Sequence, residues 1–312
     1  GLFDRDYIRP GVISNWSRHR LQAYAYGIHQ HCIILVFVPI CNTERPTYPI
    51  TTVALKIGDR VFRLAGSDSE FAIDEELAGA LREADNKQVL IRFSVYGGNT
   101  ITRTIGKDTV RAWKMLYQDA PPVEVIATPA AASEMVASET LTAGLIKAID
   151  KKLPTVDGNF WRVNGDLPWS QPVLVKDPFD GNYVAVFDHD FSDNDGFITN
   201  WSYQYLWVHI YHQLGGSYQT IGISSLTIKI GDQTFELFGQ NNQFEIPEAL
   251  RKAMREAPPN KVSISYLNAE HKKIKHRIGN QTVEAWKSLY QEIPVSATPP
   301  PLEATPPAPV SE

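Results

Sequence analysis

The chain is short of several things at once. It has two cysteines among its 312 residues and no apolar run near the roughly 18–20 residues of a membrane-spanning helix. Two cysteines exclude a disulfide-dense scaffold, and the missing run leaves no transmembrane segment in the chain as given. Charge of one sign is also lacking. Thirty basic residues face 35 acidic ones, for a net charge of -5, which removes the electrostatic footprint of a nucleic-acid binder. The usual chemical signatures are absent: no G-x-G-x-x-G, no G-x-x-x-x-G-K, no H-E-x-x-H, no G-x-S-x-G and no C-x-x-C. A non-enzyme is the expectation. The chain opens on Gly1-Leu2-Phe3-Asp4, with no initiator Met or basic leader, which reads as a processed, trimmed or tagged product.

What the chain does have is repetition. Lys56-Ile57-Gly58-Asp59 returns as Lys229-Ile230-Gly231-Asp232, and Ala112-Trp113-Lys114 as Ala285-Trp286-Lys287, both at a shift of 173. Residues 51–118 and 224–291 share 28 identities in 68 positions, far above chance. Upstream, Ile13-Ser14-Asn15-Trp16-Ser17 becomes Ile198-Thr199-Asn200-Trp201-Ser202 at a shift of 185, which places about 12 extra residues in the first copy. Val38–Pro49, with Cys41, Asn42, Pro46 and Pro49, has loop composition and is the expected insertion.

The pattern therefore divides the chain into a first repeat domain (1–118), a Pro/Ala-rich linker (119–138), a connecting helix and loop (139–159), a second repeat domain (160–291) and a Pro/Ala-rich tail (292–312). Linker and tail bury too little apolar surface to offset their ordering entropy. An ordered tail implies something for it to lie against, and a partner of an accessory subunit is the expected occupant.

Within each copy the elements can be read twice. Val53–Ile57 and Val61–Leu64 flank Gly58-Asp59, a hairpin signal. Leu77, Ala80, Leu81 and Ala84 share one face of a helix over 74–84, and its counterpart starts at Pro247. Val89, Ile91 and Phe93 alternate as a strand, as do Val262, Ile264 and Tyr266. Closing helices span Thr109–Gln118 and Thr282–Gln291, with Val110 and Trp113 on the apolar stripe. The expected class is α+β: two tandem duplicated domains, each a mainly antiparallel sheet with two short helices. The block Ile57-Gly58, Phe62, Leu64, Leu77, Leu81 and Ala112-Trp113 resembles the C-terminal half of the invasion-associated locus B proteins of bacterial envelopes. The likeness covers about a fifth of the chain per copy, and the cysteine pair of that family is missing from the block.

Three groups of residues invite a chemical reading. Phe-Asp-x-Asp-aromatic occurs twice, as Asp4/Asp6 and Asp188/Asp190, and Asp193, Asp195 and Gly196 follow the second. Such carboxylates suit a hard cation such as Ca2+, with solvated Asx turns as the alternative. Trp201, Tyr203, Tyr205, Trp207, His209 and Tyr211 alternate, so on one strand all six share a face, opposite Leu206, Val208 and Ile210. That row suits a glycan, a peptide or a protein partner, or is the covered second side of a sheet. Cys32 and Cys41 suit a disulfide in an oxidising compartment or two free thiols. His19, His29 and His31 near Cys32 lack a fourth ligand at a diagnostic spacing.

The function expected is a non-catalytic tandem-repeat binding or adaptor protein. It is read as an accessory subunit of a bacterial envelope or a larger protein assembly, periplasmic or extracellular. The alternatives are a divalent-metal-dependent enzyme at the Asp-x-Asp loops and a carbohydrate-binding module at Trp201–Tyr211.

Overall fold

The computed structural model describes residues 2–6, 11–26, 29–35, 38–44, 47–85, 89–95, 100–121, 140–149, 152–159, 161–162, 166–192, 195–214, 217–268 and 271–291. The tail (292–312), the linker beyond residue 121 and Asp193 lie outside the described residues, and with them the expected tail contact.

The first region runs β1 (Leu2–Asp6), β2 (Gly11–Trp16), β3 (Arg20–Tyr26), β4 (His29–Leu35), β5 (Val38–Glu44), β6 (Thr47–Ile57), β7 (Arg60–Ser67), β8 (Glu70–Ala72), α1 (Glu75–Glu83), β9 (Val89–Val95), β10 (Thr100–Thr104) and α2 (Lys107–Leu116). A helix over 140–149, α3, leads to the second region. There follow β11 (Thr155–Asp157), β12 (Pro172–Asp177), β13 (Gly181–Phe191), β14 (Asp195–Ser202), β15 (Tyr205–Leu214), β16 (Ser217–Ile221), β17 (Ser225–Ile230), β18 (Gln233–Gln240), β19 (Gln243–Glu245), α4 (Glu248–Arg255), β20 (Val262–Leu267), β21 (Lys273–Arg277) and α5 (Asn280–Leu289).

Among the described residues the protein is mostly β-sheet, with five short helices. The first eight-stranded sheet runs β1-β2-β3-β8-β7-β6-β9-β10, and an extra β3–β6 pairing closes it into a small barrel. The 11-stranded sheet stays open. The difference has a local cause. β6 is one strand with a register shift between Ile50 and Thr52, whereas residues 222–224 interrupt the second region between β16 and β17. At the first place the Ile50 amide donates to Ser69 Oγ at 2.9 Å. At the second, the Asn242 side chain accepts from the Ile223 amide and donates to the Ile221 carbonyl at 2.9 Å. The Asn242 carboxamide serves both the donor and the acceptor, so the ladder can part there without leaving these two groups bare.

The hairpin over Gly58-Asp59 forms as the pattern predicts, with Gly58 at φ +60° as such a turn requires. Asp74 caps α1 by accepting from the Leu77 amide, and Pro247 precedes α4. Two expectations need correction. Val38–Pro49 is not a loop: β4 and β5 pair with each other as a separate two-stranded sheet. Each strand of a two-stranded sheet pairs along one edge only, so proline costs it no ladder bond if its nitrogen faces away. The stretch expected to be connecting loop includes β11, which pairs in parallel with β12.

Three cores hold the fold. One gathers Trp16, Leu21, Phe71, Leu77, Ile91 and Trp113 of the first region. A second gathers Trp201, Leu206, Phe244, Leu250, Ile264 and Trp286, joined by Leu145 of α3. The third gathers Val156, Trp161, Leu167, Val173, Val175, Ala185, Phe187 and Ile198 of the second region.

Candidate functional site

β13, β14 and β15 form the part of the molecule with two buried faces. Leu206, Val208 and Ile210 enter the second core, as the alternation predicts. Tyr205, Trp207, His209 and Tyr211 take the opposite face, also as predicted. Trp201 and Tyr203 do not belong with them. The chain turns at residues 203–204, and Trp201 pairs with Leu206 across the resulting hairpin. Trp201 is fully buried and meets Trp286 edge-on at 4.7 Å. Tyr203 lies beside Tyr290 under the Arg251 guanidinium. Reading one strand through a turn that carries no Gly or Pro caused the error.

The face carrying Trp207, His209 and Tyr211 is covered, though not by helices. Trp161 packs on Phe187 at 5.7 Å, and Tyr183 on Trp207 at 5.3 Å. His209 is 5% exposed. Burial, with the Arg162 cation nearby, pushes its pKa down from 6.5 to about 3, so the ring is neutral. Its Nδ1 has no hydrogen-bond partner. Arg162 lies over the Trp161 ring, and burial lowers its own pKa to about 10. Tyr183 accepts from Asn200 Nδ2 at 3.1 Å and is held well above the ordinary phenol value, chiefly by burial.

Beyond the cover the aromatic surface continues outward. His189 and Phe191 stack at 4.4 Å and 19°, and Trp169 stands edge-on to both, at 4.4 and 6.0 Å. Phe191 is 44% exposed. Sequence reasoning missed this trio, because its members stand on β13 and on the turn before β12. Beside it opens a cleft of about 520 Å³ lined by Trp169, Ser170, Gln171, Pro172, Asn280, Gln281, Glu284 and Ala285. Ser170, at φ +56°, ties this turn to α5 through a 2.8 Å hydroxyl bond with Thr282, and its amide donates to the Phe187 carbonyl.

The carboxylates part company. Asp188 is buried and accepts from the Gly279 amide at 3.1 Å, at the N-terminus of α5, where the helix dipole favours a negative charge. Burial nevertheless raises its pKa. Asp190 accepts from His276 Nδ1 at 2.8 Å, and Asp195 from His212. Among the described residues no group of three or more His, Cys, Asp or Glu gathers as a metal site. The side chains of Asp4 and Asp6, like those of His29, His31, Cys32 and Cys41, lie outside the described residues. The backbone sets Cys32 directly opposite Cys41 in the β4–β5 register.

A further cluster joins the two regions. Arg92 of β9 donates to both oxygens of Asp177 at 2.8 and 2.9 Å, to Asp180 at 3.0 Å and to Asn159 at 3.0 Å, and stacks over Phe179. The Arg92 and Asp177 side chains are 11% and 5% exposed. Arg63 reaches Asp180 at 2.6 Å, and Arg162 reaches Thr100 at 3.3 Å. Both bonds to Asp177 come from the single nitrogen Nη2, while Nη1 serves Asp180, so one guanidinium bridges two carboxylates. No sequence signal marks this cluster, since its partners lie 62 to 117 residues apart.

The chain matches no known protein family, and no curated protein and no solved structure is significantly similar to it.

Proposed function

We propose that the chain is a non-catalytic binding or adaptor protein made of two diverged copies of one β unit, the second of which presents the contact surface. The observation that carries this reading is the stack of half-buried Trp169 on exposed His189 and Phe191, beside an open cleft. Exposed clustered aromatics lose solvation free energy unless something covers them, and they mark interaction sites. The repeated pairing of Trp16 with Trp113 and Trp201 with Trp286, both at 4.7 Å, supports the duplication. The acidic side chains support the non-catalytic part of the reading, since Asp188, Asp190 and Asp195 are each engaged by a protein donor.

The proposed setting is a bacterial envelope or another assembly outside the cytosol, in which the chain is an accessory subunit. Backbone pairing supports it. Pro39 has no N–H, so its pair with Ile34 belongs to the non-hydrogen-bonded class, and the pair two positions on, Cys32 with Cys41, falls in the same class. There Cα atoms approach to about 4.5 Å, within the range a disulfide spans. Oxidation forms one S–S bond and passes two electrons and two protons to a disulfide-exchange oxidant, which an oxidising compartment supplies. Intact mass and thiol titration of the native chain decide it: two free thiols in the secreted or periplasmic protein overturn the assignment.

The binding reading is tested by mixing the protein with saccharides, peptides, Ca2+ or Mn2+, and chromogenic ester, phosphate and glycoside substrates. Binding without turnover is expected. Metal-dependent turnover that Asp190→Asn abolishes overturns it in favour of an enzyme.

A further inference from the structure

We infer that the cleft beside Trp169 is a binding site for an uncharged oligosaccharide; this rests on the binding-protein reading above and names its ligand class.

The lining argues for a ligand that is apolar on one side and hydroxyl-rich on the other. Trp169, Pro172 and Ala285 supply apolar surface, while Ser170, Gln171, Gln281 and Glu284 line the same space with polar groups. A pyranose ring has this double character: its axial C–H bonds form an apolar face suited to an indole, and its rim carries hydroxyls that both donate and accept. Gln171 and Gln281 match the rim, because a carboxamide also donates and accepts, and both are exposed. Asn280 is not counted, since its amide is already spent on Asn260 at 2.8 Å in both directions. Among the described residues no cation lines the cleft, and the one carboxylate there, Glu284, is paired with Lys287 at 2.7 Å. An anionic ligand would meet no counter-charge there, and a cationic one only a carboxylate already neutralised.

The site is also held in place. Ser170 is bonded to Thr282 of α5 and to the Phe187 carbonyl, so Trp169 sits on a turn anchored at both ends to the second region. Its ring is braced edge-on by His189 and Phe191. A preset aromatic loses little freedom on binding, which favours affinity. The volume of about 520 Å³ lies within the range of small-ligand clefts, and its open shape accepts an internal ring of a longer chain. The His189–Phe191 stack continues the aromatic surface for a neighbouring ring.

The experiment is titration of the full chain, by calorimetry and tryptophan fluorescence, with uncharged α- and β-linked hexasaccharides of glucose, mannose and N-acetylglucosamine. An anionic uronic-acid oligomer and a peptide copying residues 297–312 serve as the competing ligands. Saturable binding of at least one neutral sugar is expected, weakened about tenfold or more by Trp169→Ala and largely retained by Trp169→Phe. Gln281→Ala, on the exposed surface, is expected to weaken binding several-fold with an unchanged melting temperature. Saturation by the peptide or the anionic oligomer alone overturns the sugar assignment and leaves the binding-protein reading standing. No binding to any sugar of the panel overturns the assignment as well. Release of new reducing ends overturns the non-catalytic reading itself.

Discussion

At the same register position of two similar strands, the first region carries Tyr24 and the second His209. Tyr24 is 42% exposed, while His209 is buried. Around Tyr24 the face is polar: Arg20 and Gln22 both bond to Glu70, at 2.9 and 2.5 Å. Around His209 it is aromatic, and the segment between β11 and β12 brings Trp161 and Leu167 across it. The opposite faces agree closely. Trp16 and Trp201 each donate to a hydroxyl two residues back, Ser14 or Thr199, and Tyr117 and Tyr290 each donate to a backbone carbonyl, of Ser17 or Ser202. A face that closes on helices is constrained by packing to within a methylene. A face open to water tolerates either polar residues or apolar ones, but the latter need a cover. The third core is that cover, and its uncovered margin is the Trp169 stack.

The largest effect should come from the shared core. Trp113→Ala and Trp286→Ala each remove a fully buried indole and should cost about 3–5 kcal/mol. Urea unfolding followed by hydrogen exchange should show the mutated region opening first; loss confined to the other region would break the correspondence. Next, Arg92→Ala leaves the Asp177 carboxylate buried without its partner and should cost about 3 kcal/mol. Arg92→Lys should recover only part of this, because an ammonium has one nitrogen where the guanidinium uses two, Nη2 on Asp177 and Nη1 on Asp180. If the two regions then unfold in separate steps where the parent unfolds in one, this cluster is what couples them.

The two pH-dependent predictions are smaller at neutral pH. His209 has a folded pKa of about 3 against 6.5 unfolded, so the unfolded chain takes up the proton first. Its contribution is therefore intact above about pH 6.5 and is lost as pH falls towards 3, at about 1.4 kcal/mol per unit of separation. His209→Gln should flatten that slope in a pH series of melting temperatures; an unchanged slope refutes the burial argument. Asp188 opposes it. Its folded pKa is raised above 3.8, so its stabilising share is complete below that value and lost as pH rises through the folded value. Asp188→Asn should remove this drift. Smallest of all, Tyr24→Ala should change stability by less than about 0.5 kcal/mol, the scale of an open surface position. A loss near that of a core residue would mean the polar face is covered after all.

Much of the core was readable because it is written twice. Lys56–Asp59 with Lys229–Asp232, and Trp113 with Trp286, locate a hairpin and a closing helix by periodicity and turn chemistry alone, and the helices fall within two residues of expectation. The aromatic row was half readable. Alternation placed Tyr205, Trp207, His209 and Tyr211 correctly, but nothing in Trp201–Gln204 announced a turn. Strand β5 was mistaken for loop because composition scores the prolines and asparagine of Val38–Pro49 and ignores pairing.

By itself, then, the sequence determined the local elements and the side of each that faces a core, since both follow from spacing along the chain. Only the tertiary structure decided which aromatic side chains are covered, where the carboxylates point and which ones meet Arg92. Those outcomes depend on side chains up to about a hundred residues apart meeting in space, and no short-range pattern encodes such a meeting. Asp188 shows the difference most plainly. Its place beside Asp190 suggests a cation site, and the fold spends it instead on the first turn of α5, because that helix end arrives from 91 residues away.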